Sequence, residues 1–308
     1  MTNPVVNVLM ATFNGDLYLD EQLRSIHGQA DVRINLIVSD DNSDDATVEI
    51  LRRWKANWTK GEFIILSGPS SGYAENFRSL LQRCDLAADY IAFADQDDIW
   101  DADKLITAIR CLRRLPRECP GLYCSRTRLV DESGDDVGYS PEFQRPASFR
   151  NAIVQSIGGG NTMVLNRVAA QLAIESARRS SFVSHDWWCY IIVSAANGRV
   201  LYDPKPRIGY RQHASNVIGR NTGWSARFRR MRRLFAGQLR EWNDQHLVAL
   251  ELCSDLLCAE AKEVLVEFRG LRSENMPQRV LAFLRSGVYR QSRVGTLMLL
   301  MSVVAKKV

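Results

Sequence analysis

Apolar residues recur along the first 115 positions in two alternating rhythms. Residues 5–11, 32–38, 63–66 and 90–94 are nearly continuous apolar runs, the pattern of strands buried on both faces. Between and after them, residues 18–26, 46–58, 74–83 and 103–115 carry apolar side chains three and four apart, as at Leu19, Leu23 and Ile26, and so predict helices. The cluster Asn42-Ser43-Asp44-Asp45 is a helix-start signal before the second of these. Strand alternating with helix at these lengths predicts an α/β fold with a mostly parallel sheet covered on both sides. Ligands of such sheets bind beyond the carboxyl ends of the strands. Three polar clusters fall there: residues 12–14, Asp40-Asp41, and Asp95 to Asp98.

The middle of the chain is less regular. A strand is predicted over 122–130, a turn over 131–136, and a glycine loop over 156–161 running into a short strand at 162–165. Helices follow at 168–177 and 186–196, and a strand at 200–202. From Trp224 the pattern changes to long arginine-rich helices. Phe228, Met231, Leu234, Phe235 and Leu239 form one apolar stripe, flanked by Arg227, Arg229, Arg230, Arg232, Arg233 and Arg240. Two readings stay open: a solvated face on a packed helix, or a face that docks on anionic lipid. Residues 295–305 are apolar but too short to span a bilayer, so they form a core helix or lie in a membrane interface.

Composition adds limits. With 308 residues, 46% hydrophobic and 24% charged, the chain has room for one large domain and a helical appendage. A net charge of +5 suits a nucleotide or an anionic surface. Seven cysteines without a CxxC pair and four histidines without zinc spacing point to reduced thiols. The first residues lack the basic and apolar regions of a signal peptide, and a cytoplasmic protein, peripheral at most on the inner face of the cell membrane, is expected. Aromatic residues are too thinly interleaved among the arginines for a base-stacking platform, so nucleic acid is not an expected partner. The glycine loop lacks GxGxxG spacing and does not follow the first strand, which argues against a dinucleotide site.

The segment Ala94-Asp95-Gln96-Asp97-Asp98-Ile99-Trp100 carries the most chemistry. A buried strand that ends in three carboxylates concentrates like charge, which raises each group's pKa unless a cation intervenes. A hard divalent ion, Mg²⁺ or Mn²⁺, suits such oxygen ligands and would itself hold a diphosphate. The competing reading is a solvated acidic turn that caps the next helix.

Taken in order, Val8 to Gly15, Val38 to Thr47 and Ala94 to Trp100 resemble the corresponding segments of family 2 glycosyltransferases, which have the GT-A fold. Gly160-Asn161-Thr162-Met163-Val164, His185-Asp186-Trp187-Trp188 and Tyr210-Arg211-Gln212-His213 make the chain most similar to the bacterial rhamnosyltransferases of that family. The resemblance covers roughly residues 5–220. It implies a catalytic domain over 1–220, with a nucleotide-sugar half to about residue 100 and an acceptor half beyond it, and a helical C-terminal region over 221–308 that is a candidate for membrane association.

The resemblance also implies roles. Asp41, more than Asp40, would accept a hydrogen bond from the N3–H of a pyrimidine base, because a carboxylate accepts and does not donate. Ala11, Phe13 and Asn14 would frame the nucleotide, a core role for Phe13 staying open. Asp95 would meet the ribose or the ion's water shell, and Asp97 would ligate Mg²⁺ or Mn²⁺, with His213 a further ligand. Arg211 would meet a phosphate bidentately. Asp186 would be the general base that deprotonates the acceptor hydroxyl, or else a helix cap; His185 would orient it or be structural. Asn161, Thr162 and Trp187 would lie on the acceptor side. Asp98 would aid the metal or cap the next helix, and Trp100 would stack on a sugar or pack in the core. The implied reaction is inverting transfer from dTDP-L-rhamnose to a saccharide acceptor, carried on a polyprenyl diphosphate, in surface polysaccharide or O-chain assembly. A UDP-hexose or UDP-N-acetylhexosamine donor is the nearest rival. A nucleotidyltransferase would want a basic glycine-rich loop after the first strand, where Ala11 to Asp16 is acidic and short. A non-catalytic lipid- or nucleic-acid-binding protein would keep its binding after Asp97→Ala.

Overall fold

The computed structural model describes residues 3–85, 87–213 and 238–308. The chain begins β1 (Val5–Thr12), α1 (Asp16–His27), β2 (Arg33–Asp40), α2 (Thr47–Asn57), β3 (Phe63–Ser67), α3 (Tyr73–Arg83) and β4 (Tyr90–Ala94). It continues with β5 (Ile99–Trp100), α4 (Lys104–Leu112), β6 (Gly121–Ser125), β7 (Arg128–Val130), β8 (Asp136–Tyr139) and α5 (Phe149–Ala152). Then come β9 (Val164–Asn166), α6 (Arg167–Arg179), α7 (His185–Ala195), β10 (Arg199–Asp203) and β11 (Ile208–Arg211). The described part of the C-terminal region is helical: α8 (Gln238–Leu252), α9 (Ala259–Gly270), α10 (Met276–Ser286) and α11 (Arg293–Val304).

The main sheet has the order β10-β6-β9-β4-β1-β2-β3. All its pairings are parallel except those of β9, which runs antiparallel to both β4 and β6. Alternation along each strand decides which helix layer a side chain meets. Leu9, Ile91, Phe93 and Leu122 face α3, α6 and α7. Val8, Met10, Val38, Ala92 and Ala94 face α1, α2 and α4. The C-terminal helices extend the first layer: Leu250, Phe268, Phe283 and Val303 belong to the same apolar cluster as Trp188 and Ile192.

A second sheet, β5-β11-β7-β8, covers the carboxyl edge of the first. Its strands explain where the observed elements depart from those read in the sequence. The strand expected over 122–130 is two strands in different sheets, because the chain turns at Arg126 and Thr127. The turn expected to run to residue 136 closes a hairpin, with β8 returning antiparallel to β7. The short strand expected at 162–165 is a 3-10 turn, Gly160–Thr162, followed by β9. Of the helix expected over 224–242, residues 224–237 lie outside the described residues. All seven cysteines are free.

Candidate active site

Three strand exits share one edge. Register pairs Thr12 with Asp40 across β1 and β2, and Met10 with Ala94 across β1 and β4, so the loops after all three open side by side. The loop after β4 holds Asp95, Gln96, Asp97 and Asp98. It is fixed from below and from the side. Gln22, fully buried on α1, donates to the carbonyl of Asp95 at 2.8 Å. The Gln96 amide pairs with both backbone groups of Phe13, accepting from its N–H at 2.8 Å and donating to its carbonyl at 2.9 Å. Gly15 makes room for this clasp, since a Cβ there would lie 2.3 Å from Gln96 Oε1. The β1 exit and the acidic loop are therefore one mechanical unit.

The small sheet brings the last member in. β11 pairs antiparallel with β5, Ile208 opposite Trp100, so the chain beyond Arg211 folds back over the acidic loop. His213 Nε2 lies 2.7 Å from Asp97 Oδ2, both side chains largely but not fully buried. The Tyr18 ring flanks His213 with centroids 5.1 Å apart. Asp95 is half-buried, and no hydrogen bond reaches its carboxylate among the described residues. Burial, with the charges of Asp97 and Asp186 added, pushes its carboxyl up to about 8.

Asp186 sits in the first turn of α7. One of its oxygens accepts the Trp187 N–H at 2.7 Å, which satisfies a helix N-terminal donor. Its charge acts on Asp95 and on the Tyr73 hydroxyl, which burial and these two carboxylates push up to about 12. His185 is structural: it stacks on Phe77 with ring centroids 3.7 Å apart and tilts against Phe93. Burial lowers its pKa to about 4, and neither ring nitrogen has a partner. A Cβ on Gly160 would lie 1.9 Å from His185 Nε2, so that glycine is required by close approach.

Several polar residues expected at ligands are bonded to protein groups. Arg211 is 1% exposed. Its guanidinium donates to the Asp97 carbonyl at 3.0 Å, to the Glu132 carbonyl at 2.7 Å and to the Glu21 carboxylate, and it stacks over Tyr18. Buried beneath the loop, this group holds the loop in place. The side chains expected on the acceptor side also bond to protein groups. Asn161 Nδ2 donates to Asp98 Oδ2 at 2.7 Å, Thr162 Oγ1 to the Gly159 carbonyl at 2.8 Å, and Trp187 Nε1 to the Ala152 carbonyl at 2.6 Å, all three side chains buried. Asp98 itself is fully buried and caps no helix, its carboxyl pushed up by burial and by Asp97 and Asp95. Trp100 is a core residue whose ring carries the buried Lys104 ammonium 3.5 Å from its centroid.

The nucleotide-side residues divide differently. Phe13 is 57% exposed, and Ala11 packs partly on the core. Asn14, with φ 45°, accepts the Asp44 N–H at 3.0 Å and so ties the β1 exit to the loop after β2. Asp41 accepts the backbone N–H groups of Ser70 at 2.6 Å and Gly72 at 3.1 Å, fixing the loop before α3. The clasp by Gln96 was not anticipated. Its partner, Phe13, lies just beyond β1, more than eighty positions away in the chain.

A mostly parallel α/β sheet with an antiparallel β9 and an acidic loop after β4 defines the class, and sequence comparison settles it. Residues 7–165 match the family described as glycosyl transferase family 2, and the chain belongs to that family. It is 32% identical over 233 residues to the dTDP-rhamnosyl transferase RfbG of Shigella flexneri, covering 72% of this chain and 78% of that one. The fold is GT-A, shared with solved glycosyltransferases. Staphylococcus aureus TarS (residues 1–349, in complex with UDP-GlcNAc) superposes with a TM-score of 0.58 at 17% identity, over 98% of this chain and 88% of that chain. The mannosyltransferase PcManGT of Pyrobaculum calidifontis, in complex with GDP-Man and Mn²⁺, gives 0.51 at 17% identity, over 99% and 87%. The protein is a glycosyltransferase.

Proposed function

We propose that the protein transfers L-rhamnose from dTDP-L-rhamnose, with inversion, to a saccharide acceptor in the assembly of a surface polysaccharide or O-chain. What carries the donor is the likeness to the Shigella dTDP-rhamnosyl transferase over most of both chains. What carries the chemistry is the grouping of Asp95, Asp97, His213 and Asp186 at one sheet edge.

The donor set fits a hard divalent ion. Asp97 Oδ2 and His213 Nε2 face each other at 2.7 Å, a carboxylate oxygen and an imidazole nitrogen of the kinds that Mg²⁺ or Mn²⁺ accept. No group of three His, Cys, Asp or Glu in ligating arrangement exists among the described residues. Mg²⁺ commonly keeps several waters and binds through one or two carboxylates together with substrate phosphates. Asp97 and His213 would hold the ion, which when bound offsets the charge that builds on the departing nucleoside diphosphate.

The chain's own residues do the rest. Asp41 offers an acceptor to the N3–H of thymine while its backbone contacts keep the carboxylate still. The exposed Phe13, clasped by Gln96, lies on the base side of the acidic loop. Asp186 uses one oxygen on its helix; the other, without a partner among the described residues, takes the proton of the acceptor hydroxyl. The oxygen freed of that proton attacks the anomeric carbon from the face opposite the diphosphate, and inversion follows. Asn161, Asp98 and Arg211 hold the loop and leave the cleft to substrate.

A panel of nucleotide sugars assayed for nucleoside diphosphate release, with and without EDTA, tests this reading. Turnover of dTDP-L-rhamnose that EDTA abolishes is expected. Preference for a UDP-sugar would remove the donor assignment, and EDTA-resistant turnover would remove the metal.

A further inference from the structure

The last 34 residues, 275–308, contain six arginines and lysines and not one aspartate or glutamate. They also carry an inverted surface. Along α11, Val294, Leu297, Met301 and Val304 follow one another at intervals of three and four, so they form a single stripe. That stripe points outward: the four residues are 71, 57, 49 and 41% exposed. The helix buries Leu299, Ser302 and Val303 on its other side. The neighbouring α10 adds Leu281 and Leu284, 46 and 66% exposed. A helix on a soluble core normally shows water its polar face; here the apolar residues are outside.

The charges that α10 and α11 themselves carry are of one sign. Arg285, Arg293 and Lys307 are exposed and have no carboxylate partner among the described residues. The nearest preceding acid in the chain, Glu274, is paired with Lys306. No helix of the described residues is long and apolar enough to cross a membrane. Exposed leucine, valine and methionine flanked by unpaired cations match the composition of an anionic lipid interface, where an apolar stripe enters the acyl boundary and the cations meet headgroups. The loop between the two helices also bears on the catalytic half. Arg145 N–H donates to Gln291, Asn151 to the Tyr289 carbonyl and Arg290 to the Val154 carbonyl. These bonds fix the segment that leads into the glycine loop beside Asp98.

We propose that the outer face of α10 and α11 docks the enzyme on the surface of an anionic bilayer, which would present a lipid-borne acceptor to the acceptor half. The surface differs from the arginine-rich stretch at 227–240 singled out in the sequence. It is also independent of donor identity, because docking needs neither donor nor acceptor.

The test is co-sedimentation of the full chain with vesicles, without substrates. Vesicles of phosphatidylglycerol and phosphatidylethanolamine should retain the protein, vesicles of phosphatidylcholine should not, and added salt should release it. The pair Leu297→Ser with Met301→Ser, and separately the triple Arg285→Ala, Arg293→Ala, Lys307→Ala, should each weaken retention at least about tenfold. Both should keep wild-type melting and wild-type transfer to a water-soluble acceptor. The triple leaves every apolar contact in place, so it reports docking even if the pair folds poorly. Retention of both variants at the wild-type level would overturn the proposal. So would a shift from dimer to monomer in the variants with vesicle binding intact, which would assign the face to a second copy. Loss of binding only on neutralising Arg227, Arg229, Arg230, Arg232 and Arg233 would also overturn it.

Discussion

Two acidic pairs stand at neighbouring strand ends, and their oxygens have different fates. Asp40 after β2 accepts from the Thr12 hydroxyl at 2.9 Å and from the Ser43 hydroxyl and N–H at 2.6 and 2.9 Å. Asp41 accepts two loop N–H groups. Among the described residues, Asp95 after β4 has no such donor on its carboxylate, and Asp97 has one, the His213 ring. Asp40, with three donors, holds its loop in place; Asp41, with one donor on each oxygen, keeps lone pairs for a ligand. Carboxylates crowded together with few donors carry excess negative charge and bind whatever neutralises it. Satisfaction of hydrogen bonds, more than the presence of acid, separates the latch from the site.

The contrast can be broken by substitution. Asp97→Asn should lower kcat/KM about a thousandfold, the range seen when an electrostatic stabiliser is removed, while thermal unfolding barely moves. Asp186→Asn should reduce kcat by a factor between about a hundred and ten thousand with the donor KM nearly unchanged, as for loss of a general base; full activity would remove the assignment. Gln96→Ala should raise the donor KM about tenfold, because two hydrogen bonds that position Phe13 are lost. Asp40→Ala should do the opposite of Asp97→Asn: it should cost about 3 kcal/mol of stability for three lost bonds to a buried carboxylate and leave kcat of the folded fraction intact. If Asp40→Ala removed turnover without destabilising the protein, the division between the two pairs would be wrong.

Much of this was legible in the sequence, for a physical reason. Strands buried on both faces are continuous apolar runs, so β1 to β4 and their polar exits could be read directly. The second sheet could not, since β5 is two residues long and exists only through pairing with β11, more than a hundred positions away. The polar residues of the later motifs were read as ligand contacts. Arg211 and Asn161 bond to the acidic loop from within, a contact that a side chain's type does not reveal. Nor does it reveal that His185 spaces two phenylalanines.

The smallest effect concerns the layer behind the site. His185 and His246 are buried and held neutral, their pKa values lowered by burial to about 4 and about 3. In the unfolded chain both take up protons near pH 6.5. Between pH 6.5 and 4 the unfolded state therefore binds more protons, and stability falls as pH falls; above 6.5 these groups add no pH dependence. Melting followed from pH 7.5 to 4.5 should show this decline, and His246→Phe, set between Trp187 and Trp188, should flatten it.

The account rests most directly on whether the Asp95–Asp97–His213 edge grips a nucleoside diphosphate together with a divalent cation. Calorimetric titration of dTDP into the protein with Mn²⁺, with EDTA, and into Asp97→Asn measures this alone, without acceptor or turnover. Binding that requires Mn²⁺ and is lost in the variant is the predicted result. Equal dTDP affinity in all three titrations would contradict it.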